Sequence, residues 1–375
     1  MSTLLNRRQW LKAAGATIAA SALTGRAPLQ AQSAGPSRPA ADAVPGLIQL
    51  CWNENPFGPA PSAQAAMRAA IGRSCRYPDL EEQELLKLIA AREGCPVDRI
   101  VLGNGSGEIL EAAGFHFGYQ HGEIVAADPC YMQLLQAADR AGGKAVRVPL
   151  NSRMEHDLPA MAAAVGLRTS LVYMVNPNNP TGTVCAAAEL KEFVRTVSAR
   201  VPVFIDEAYL ECTDDFAGRT CMGLVNAGHN VVVARTFSKI FGMAGCRLGY
   251  AVLPAPLAAP LRARMTGSLS LSTITAGIAS LQDTAYVNAT REKIRTGREA
   301  LTAVAHSLGR ECTAAQGNFV FLHTRMPVQD FVAKMRAEGV LVGRAFPPLL
   351  DWARITVGLP VEMEICHRAL RKVLA

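Results

Sequence analysis

At 375 residues the chain exceeds what one small core organises, so two domains, or a large one and a small one, are expected. Half of its residues are hydrophobic and 18% are charged, which excludes a disordered or fibrous protein. The formal charge of +7 is concentrated at the start: Arg7, Arg8, Lys12 and Arg26 lie in residues 1–31 with no acid, and without them the net is +3, too small and scattered for a nucleic-acid surface.

In chain order, Asn6-Arg7-Arg8-Gln9-Trp10-Leu11-Lys12 precedes a mildly apolar run, Ala13–Leu23. That run is too short and too rich in small residues to span a bilayer. It resembles a twin-arginine export signal, an arginine pair beside an aromatic residue, a leucine and a lysine. The resemblance implies recognition by twin-arginine export machinery, cleavage near Ala31 and a periplasmic address. The plainer alternative is a basic tail on a cytoplasmic protein. Residues 32–45 read as a Pro/Ala linker. Ten cysteines, none in a CxxC pair or at metal-ligand spacing to histidine, are expected to be small buried hydrophobes.

Beyond the linker, apolar β-branched runs stand at Ile100–Leu102, Glu123–Ala126, Lys144–Val148, Leu171–Val175, Val203–Ile205, Val231–Ala234 and Gly249–Leu253. Amphipathic stretches at Leu80–Arg92, Tyr131–Ala141 and Ala186–Arg200 lie between several of them. Strands alternating with helices predict an α/β fold with a mostly parallel sheet covered on both faces, binding its ligand beyond the carboxyl ends of the strands. The rest reads as α+β: a helix over Val287–Leu308, then Asn318–His323, a helix over Val328–Glu338, Val340–Val342, Arg354–Val357 and a last helix from Pro360. The expected division is a large domain at 76–275 and a small domain made of 46–75 and 276–375.

The strongest chemical signal is Thr236-Phe237-Ser238-Lys239-Ile240-Phe241-Gly242, with Arg247 eight residues beyond the lysine. A surface lysine is solvated and inert, but one set among Phe, Ile, Met and Gly is desolvated, which favours the neutral, nucleophilic amine. Arg247 offers a bidentate fork to a phosphate, and Thr236 and Ser238 add hydroxyl donors. Leu102-Gly103-Asn104-Gly105-Ser106-Gly107-Glu108 opens a helix after a strand, where free backbone N–H groups suit a phosphate. Asp206 ends a buried strand, where a carboxylate is costly unless paired, although a helix cap would serve as well. Asn176-Pro177-Asn178-Asn179-Pro180-Thr181-Gly182 by itself is a turn. No GxxxxGK[ST] loop is present, which removes the usual nucleotide hydrolases.

Taken together these segments resemble the class I/II aminotransferases that use pyridoxal 5'-phosphate (PLP), and most of all the histidinol-phosphate aminotransferase group. The resemblance runs from about residue 47 to the end. It implies PLP fold type I, with Lys239 holding the cofactor as a Schiff base and moving a proton during transamination. It places Asp206 opposite the pyridine nitrogen, Asn179 and Tyr209 on the phenolic oxygen, and Ser106, Gly107, Thr236, Ser238 and Arg247 on the phosphate. Tyr131, in Asp128-Pro129-Cys130-Tyr131, would stack on the ring, with a core or interface tyrosine as the alternative. Tyr77, in Tyr77-Pro78-Asp79, would reach the phosphate of a neighbouring subunit, which implies a homodimer. Arg354, in Arg354-Ile355-Thr356-Val357-Gly358, would grip the substrate carboxylate, and Asn53-Glu54-Asn55-Pro56 would close over the substrate. The expected substrates are an amino acid, or an amino-phosphate such as histidinol phosphate, and a 2-oxo acid. A decarboxylase or lyase resembling threonine-phosphate decarboxylase would keep the same lysine, aspartate and arginine; a non-catalytic PLP-binding protein would not need the aspartate. One departure stands out: many members of that group carry arginine directly after the valine of Gly-x-x-Val, whereas this chain reads Gly339-Val340-Leu341-Val342-Gly343-Arg344.

Overall fold

The computed structural model describes residues 46–375. The export-signal and linker segments therefore lie outside the described residues. Eleven strands are formed among them: β1 Ile48–Leu50, β2 Ile100–Gly103, β3 Glu123–Asp128, β4 Lys144–Pro149, β5 Thr169–Val175, β6 Val203–Asp206, β7 Val231–Thr236, β8 Gly249–Val252, β9 Phe319–His323, β10 Val340–Val342 and β11 Trp352–Thr356. Seven of them build one sheet in the order β2-β8-β7-β6-β5-β3-β4. All seven apolar runs read from the sequence are strands of this sheet. In the inner strands the side chains are apolar nearly throughout because helices cover both faces, whereas the edge strand β4 keeps Lys144 and Arg147 exposed.

The pairs from β4 through to β7 are parallel. By contrast, β8 runs antiparallel to both of its neighbours. This reversal places Gly249 opposite Gly103 on one side and Thr236 on the other, so the start of β8 sits between the carboxyl ends of β2 and β7. The connections leaving β2, β3, β5, β6 and β7 all emerge at that one edge. They carry Ser106, Tyr131, Asn179, Tyr209 and Lys239 respectively.

The remaining strands form two small sheets, β1 parallel to β10 and β9 antiparallel to β11. With the helices Thr284–Ser307, Val328–Ala337 and Pro360–Leu374 they enclose a second apolar core containing Leu50, Leu301, Val320, Phe331, Val340, Ile355 and Leu370. The N-terminal segment is shared: Leu50 belongs to that core, whereas Ala60 and Ala63 pack in the core of the large sheet. Of the ten cysteines expected to be buried, Cys95, Cys130, Cys185, Cys212, Cys221 and Cys366 are, whereas Cys51, Cys246 and Cys312 are half-buried and Cys75 is exposed.

A buried ion network holds β6 and β7 in place. Arg235 Nη1 donates to both carboxylate oxygens of Glu93 (2.8 and 3.0 Å), and its Nη2 donates to Glu207 Oε2 (3.0 Å) and Thr220 Oγ1 (2.8 Å). Tyr250 donates its hydroxyl to Glu93 at 2.6 Å. These charges are tolerated in the core because each is paired and hydrogen-bonded. Arg235→Met leaves buried Glu207 without its cation and Glu93 with Arg92 alone, and is expected to destabilise the fold by about 3 kcal/mol, read from urea unfolding midpoints. An unchanged midpoint would show that the network contributes nothing.

Candidate active site

One cavity of about 550 Å³ opens at the carboxyl edge of the large sheet and is closed on its other side by residues 49–54, Arg344, Phe346 and Arg354. One end of the cavity is a cradle built from glycines. The helix Ser106–Gly118 begins directly after Gly105, which lies at φ +75°, and its first two residues, Ser106 and Gly107, line the cavity. A Cβ on Gly105 would fall 2.1 Å from the Arg247 guanidinium, and one on Gly249 would fall 2.3 Å from the Ser106 nitrogen. Only hydrogen fits at either place. Arg247 itself sits at φ 60°, a left-handed conformation rarely kept by a side-chain-bearing residue. Its Nη1 donates to Ser238 Oγ (3.3 Å) and the Ala244 carbonyl (3.0 Å), and its Nη2 to the Asn104 carbonyl (3.2 Å). Thr236 Oγ1 donates to Ser238 Oγ at 3.0 Å, so hydroxyls, guanidinium and helix start converge.

In the middle of the cavity are an amine and a carboxylate. Lys239 Nζ donates to the Asn53 carbonyl at 3.0 Å, with the Trp52 carbonyl at 3.5 Å, and lies 5.3 Å from the centre of the Tyr209 ring. Desolvation, and then the nearby Arg354 charge, lower its pKa to about 8. Asp206 is 3% exposed and accepts the Ala208 N–H at 3.0 Å, a turn contact rather than a helix cap, since the next helical turn, Leu210–Cys212, begins after Tyr209. Burial nevertheless raises its carboxyl to about 7, against that hydrogen bond and the Lys239 charge. Both groups are therefore held near neutrality, the condition for proton transfer at physiological pH.

Above them, Tyr209 accepts two amide N–H groups at its hydroxyl oxygen, from Asn53 Nδ2 (3.1 Å) and Asn179 Nδ2 (3.3 Å). Its own hydroxyl hydrogen is thus free to donate into the cavity. Arg354 gives Nη1 to Asn179 Oδ1 (2.5 Å) and Nη2 to the Cys51 carbonyl (2.8 Å), while its Nε is buried with no partner. The guanidinium as a whole forms part of the cavity wall, where its charge favours an anionic group.

Twelve residues read from the sequence meet in this cavity: Lys239, Asp206, Tyr209, Ser106, Gly107, Tyr131, Asn179, Thr236, Ser238, Arg247, Arg354 and Asn53. Two others do not line it. Asn55 is buried, donating to the Ile240 carbonyl and accepting from Phe57, so it ties the N-terminal segment to the turn after Lys239. Tyr77 lies outside the cavity and is 90% exposed.

The sequence reading missed Gln133 and Trp52, both in the cavity wall. Gln133 Oε1 accepts the Tyr131 hydroxyl at 3.0 Å, and its amide lies where a Cβ on Gly107 would stand, at 2.8 Å. The signal was a polar residue at the start of an amphipathic helix, two positions after Tyr131. The Gly343-Arg344 departure has a steric cause. Gly343 donates its N–H to the Arg354 carbonyl at 2.8 Å, and a Cβ there would stand 2.8 Å from that same oxygen. An arginine cannot occupy position 343 without displacing β11, and Arg344 instead lines the cavity, 4.6 Å from the centre of the Phe346 ring.

Residues 45–372 match the family described as aminotransferase class I and II. The histidinol-phosphate aminotransferase of Moorella thermoacetica is 36% identical over 335 residues, spanning 88% of this chain and 86% of its own length. Histidinol-phosphate aminotransferase 1 of Cupriavidus pinatubonensis is 38% identical over 337 residues, with 88% and 89% covered. Among solved structures, histidinol-phosphate aminotransferase from Sinorhizobium meliloti in complex with pyridoxal-5'-phosphate superposes with a TM-score of 0.81 at 28% identity, covering 88% of this chain and 90% of that one. The α/β architecture of fold type I expected from the resemblance is the one observed. The chain belongs to the class I and II aminotransferases.

Proposed function

We propose that this chain is a PLP-dependent aminotransferase whose amino substrate carries an anionic group, as histidinol phosphate does, with a 2-oxo acid as the second substrate. The observation that carries the reading is a desolvated amine and a desolvated carboxylate in one cavity, next to a glycine-built anion cradle. The residues fit PLP on chemical grounds. The helix start at Ser106 and Gly107, the hydroxyls of Thr236 and Ser238, and Arg247 suit a phosphate dianion. Asp206 suits a protonated ring nitrogen, Asn179 and Tyr209 suit a phenolic oxygen, and the exposed ring of Tyr131 suits stacking. Bound there, PLP supplies an electron sink for the carbanion left when the substrate loses its α proton.

The protein's own part is proton handling and orientation. Lys239 Nζ is largely neutral above pH 8 and can take the α proton and return it. Arg354, whose guanidinium lines the cavity, holds the anionic group of the substrate, the carboxylate in the case of an amino acid or 2-oxo acid, and so orients the α carbon. Arg344 offers a second cation at the wall, and the names borne by the relatives favour a phosphate for it.

Absorption spectra of the PLP-treated protein before and after a panel of amines and amino acids, with products identified by mass spectrometry, test the reading. A bleached cofactor band with a keto or aldehyde product supports it; an amine with carbon dioxide overturns it. Arg344→Gln is expected to lower kcat/KM for a phosphate-bearing amine about 10- to 100-fold while leaving neutral amino acids unaffected. Equal losses for both classes would remove Arg344 from substrate recognition.

The exposed Tyr77 favours a homodimer in which it completes the partner's phosphate cradle. A mass of a single 39.9 kDa chain by light scattering would sink this. The Arg7-Arg8 segment favours export by the twin-arginine route to the periplasm. Undiminished export of the Arg7→Lys, Arg8→Lys double variant would contradict it.

A further inference from the structure

We propose that Asn318 is a positioning residue for Lys239: its side-chain amide aims the carbonyl of Asn53 at the lysine nitrogen and so makes residues 52–54 a strap that docks it. Asn318 stands just before β9 and is 1% exposed. Its two amide hydrogens are spent on successive carbonyls, Asn53 (3.0 Å) and Glu54 (3.1 Å). The Asn53 oxygen is also the nearest acceptor of Lys239, at 3.0 Å. Asn318 is held in turn by its own carbonyl, which accepts Val357 N–H at 2.9 Å, and by Arg298, which donates to the neighbouring Gly317 carbonyl at 2.9 Å.

Asn53 is the reason such a clamp is needed. It sits at φ 55°, a left-handed conformation that asparagine tolerates better than other side-chain-bearing residues but only one of several it can adopt, so its contacts select it. Every polar group it has is engaged. Its N–H is accepted by Thr356 Oγ1 (3.0 Å), whose hydroxyl donates back to Asn53 Oδ1 (3.2 Å), and its Nδ2 reaches Tyr209. Relaxation to the right-handed region would turn the carbonyl away from Lys239. The strap thus favours the charged form of the lysine, against desolvation and the charge of Arg354. Glu54, Asp206 and Cys212 act in the same direction as the strap, and the Tyr209 ring faces the ammonium.

The inference rests on Lys239 being the cofactor lysine, and its test separates the two. In the PLP-free protein labelled with 13C at the lysine side chains, the resonance lost in Lys239→Ala is followed against pH. Asn318→Leu, which keeps the volume and removes both donors, is expected to lower the titration midpoint by about one pH unit. Thr356→Val removes a second anchor of the same strap, is expected to shift the midpoint the same way, and decides the matter if Asn318→Leu does not fold. A midpoint unmoved or raised in the folded variants overturns the proposal. If those variants bind PLP normally, the cofactor reading survives that result. If wild type forms no PLP chromophore that Lys239→Ala abolishes, the cofactor reading fails while the strap is still read from the shift.

Discussion

Replacing Lys239 with alanine is expected to abolish turnover, by more than ~10⁴-fold, because no other amine lines the cavity among the described residues. Residual arginines stay protonated and can neither attack a carbonyl carbon nor shuttle a proton. The measurement is product formation over hours by mass spectrometry with saturating PLP. Activity within a hundredfold of wild type would show that the proton is carried elsewhere. The same substitution bears on stability. A lysine with its pKa lowered to about 8 from an unfolded value near 10.4 is charged more readily in the unfolded chain. Its cost to the fold is absent above about pH 10.4, grows as pH falls, and is complete below about 8. Lys239→Ala should therefore lose this pH dependence even as it loses catalysis.

Asp206→Asn is expected to cost on the order of 10³-fold in kcat, since a neutral amide cannot hold a proton on a ring nitrogen by charge. Its effect on the PLP-free protein runs the other way. A carboxyl raised to about 7 in the fold prefers its proton there, so its penalty is absent below about pH 4, grows through the interval, and is complete above 7. Three pH units correspond to about 4 kcal/mol, so Asp206→Asn should stabilise the cofactor-free protein by up to that amount at pH 8 and by nothing at pH 4. Urea midpoints at the two pH values decide this. Equal shifts at both would show that Asp206 is not a buried, unpaired carboxylate. Between pH 7 and 8 both the amine and the carboxylate weigh fully against the fold, and a ligand that supplies a partner for each relieves them together.

Most of the large sheet was readable because fully covered parallel strands are short apolar runs between helices, and these were the runs found. The antiparallel course of β8 was not, since a buried strand looks the same in either direction. Nor was β1: three residues whose only strand partner is β10 carry too little local pattern. Site residues on strand-to-helix turns were legible because glycine, asparagine and a lone lysine are conspicuous after an apolar run. Gln133 and Asn318 were not, because an amide gains its role only from what folds against it. Arg235 was a missed sign, since a cation inside Val231–Thr236 already demanded buried carboxylates. The glycine at 343 looked like a shifted motif until the close approach of Arg354 gave it a steric reason.

The pairing of β1 with β10 also sets an order in time. Ile48 lies against Val340, so the earlier segment waits for about 290 further residues to be made before it has a partner. At synthesis rates of about 5–20 residues per second, that wait is some 15–60 s. For most of it Asn53 has neither Asn318 nor Thr356 to hold it, and Lys239 emerges into a pocket that lacks its roof. The large sheet can form first, but the cavity closes only after β11 leaves the ribosome, so capture of a small molecule there follows the making of the small sheets.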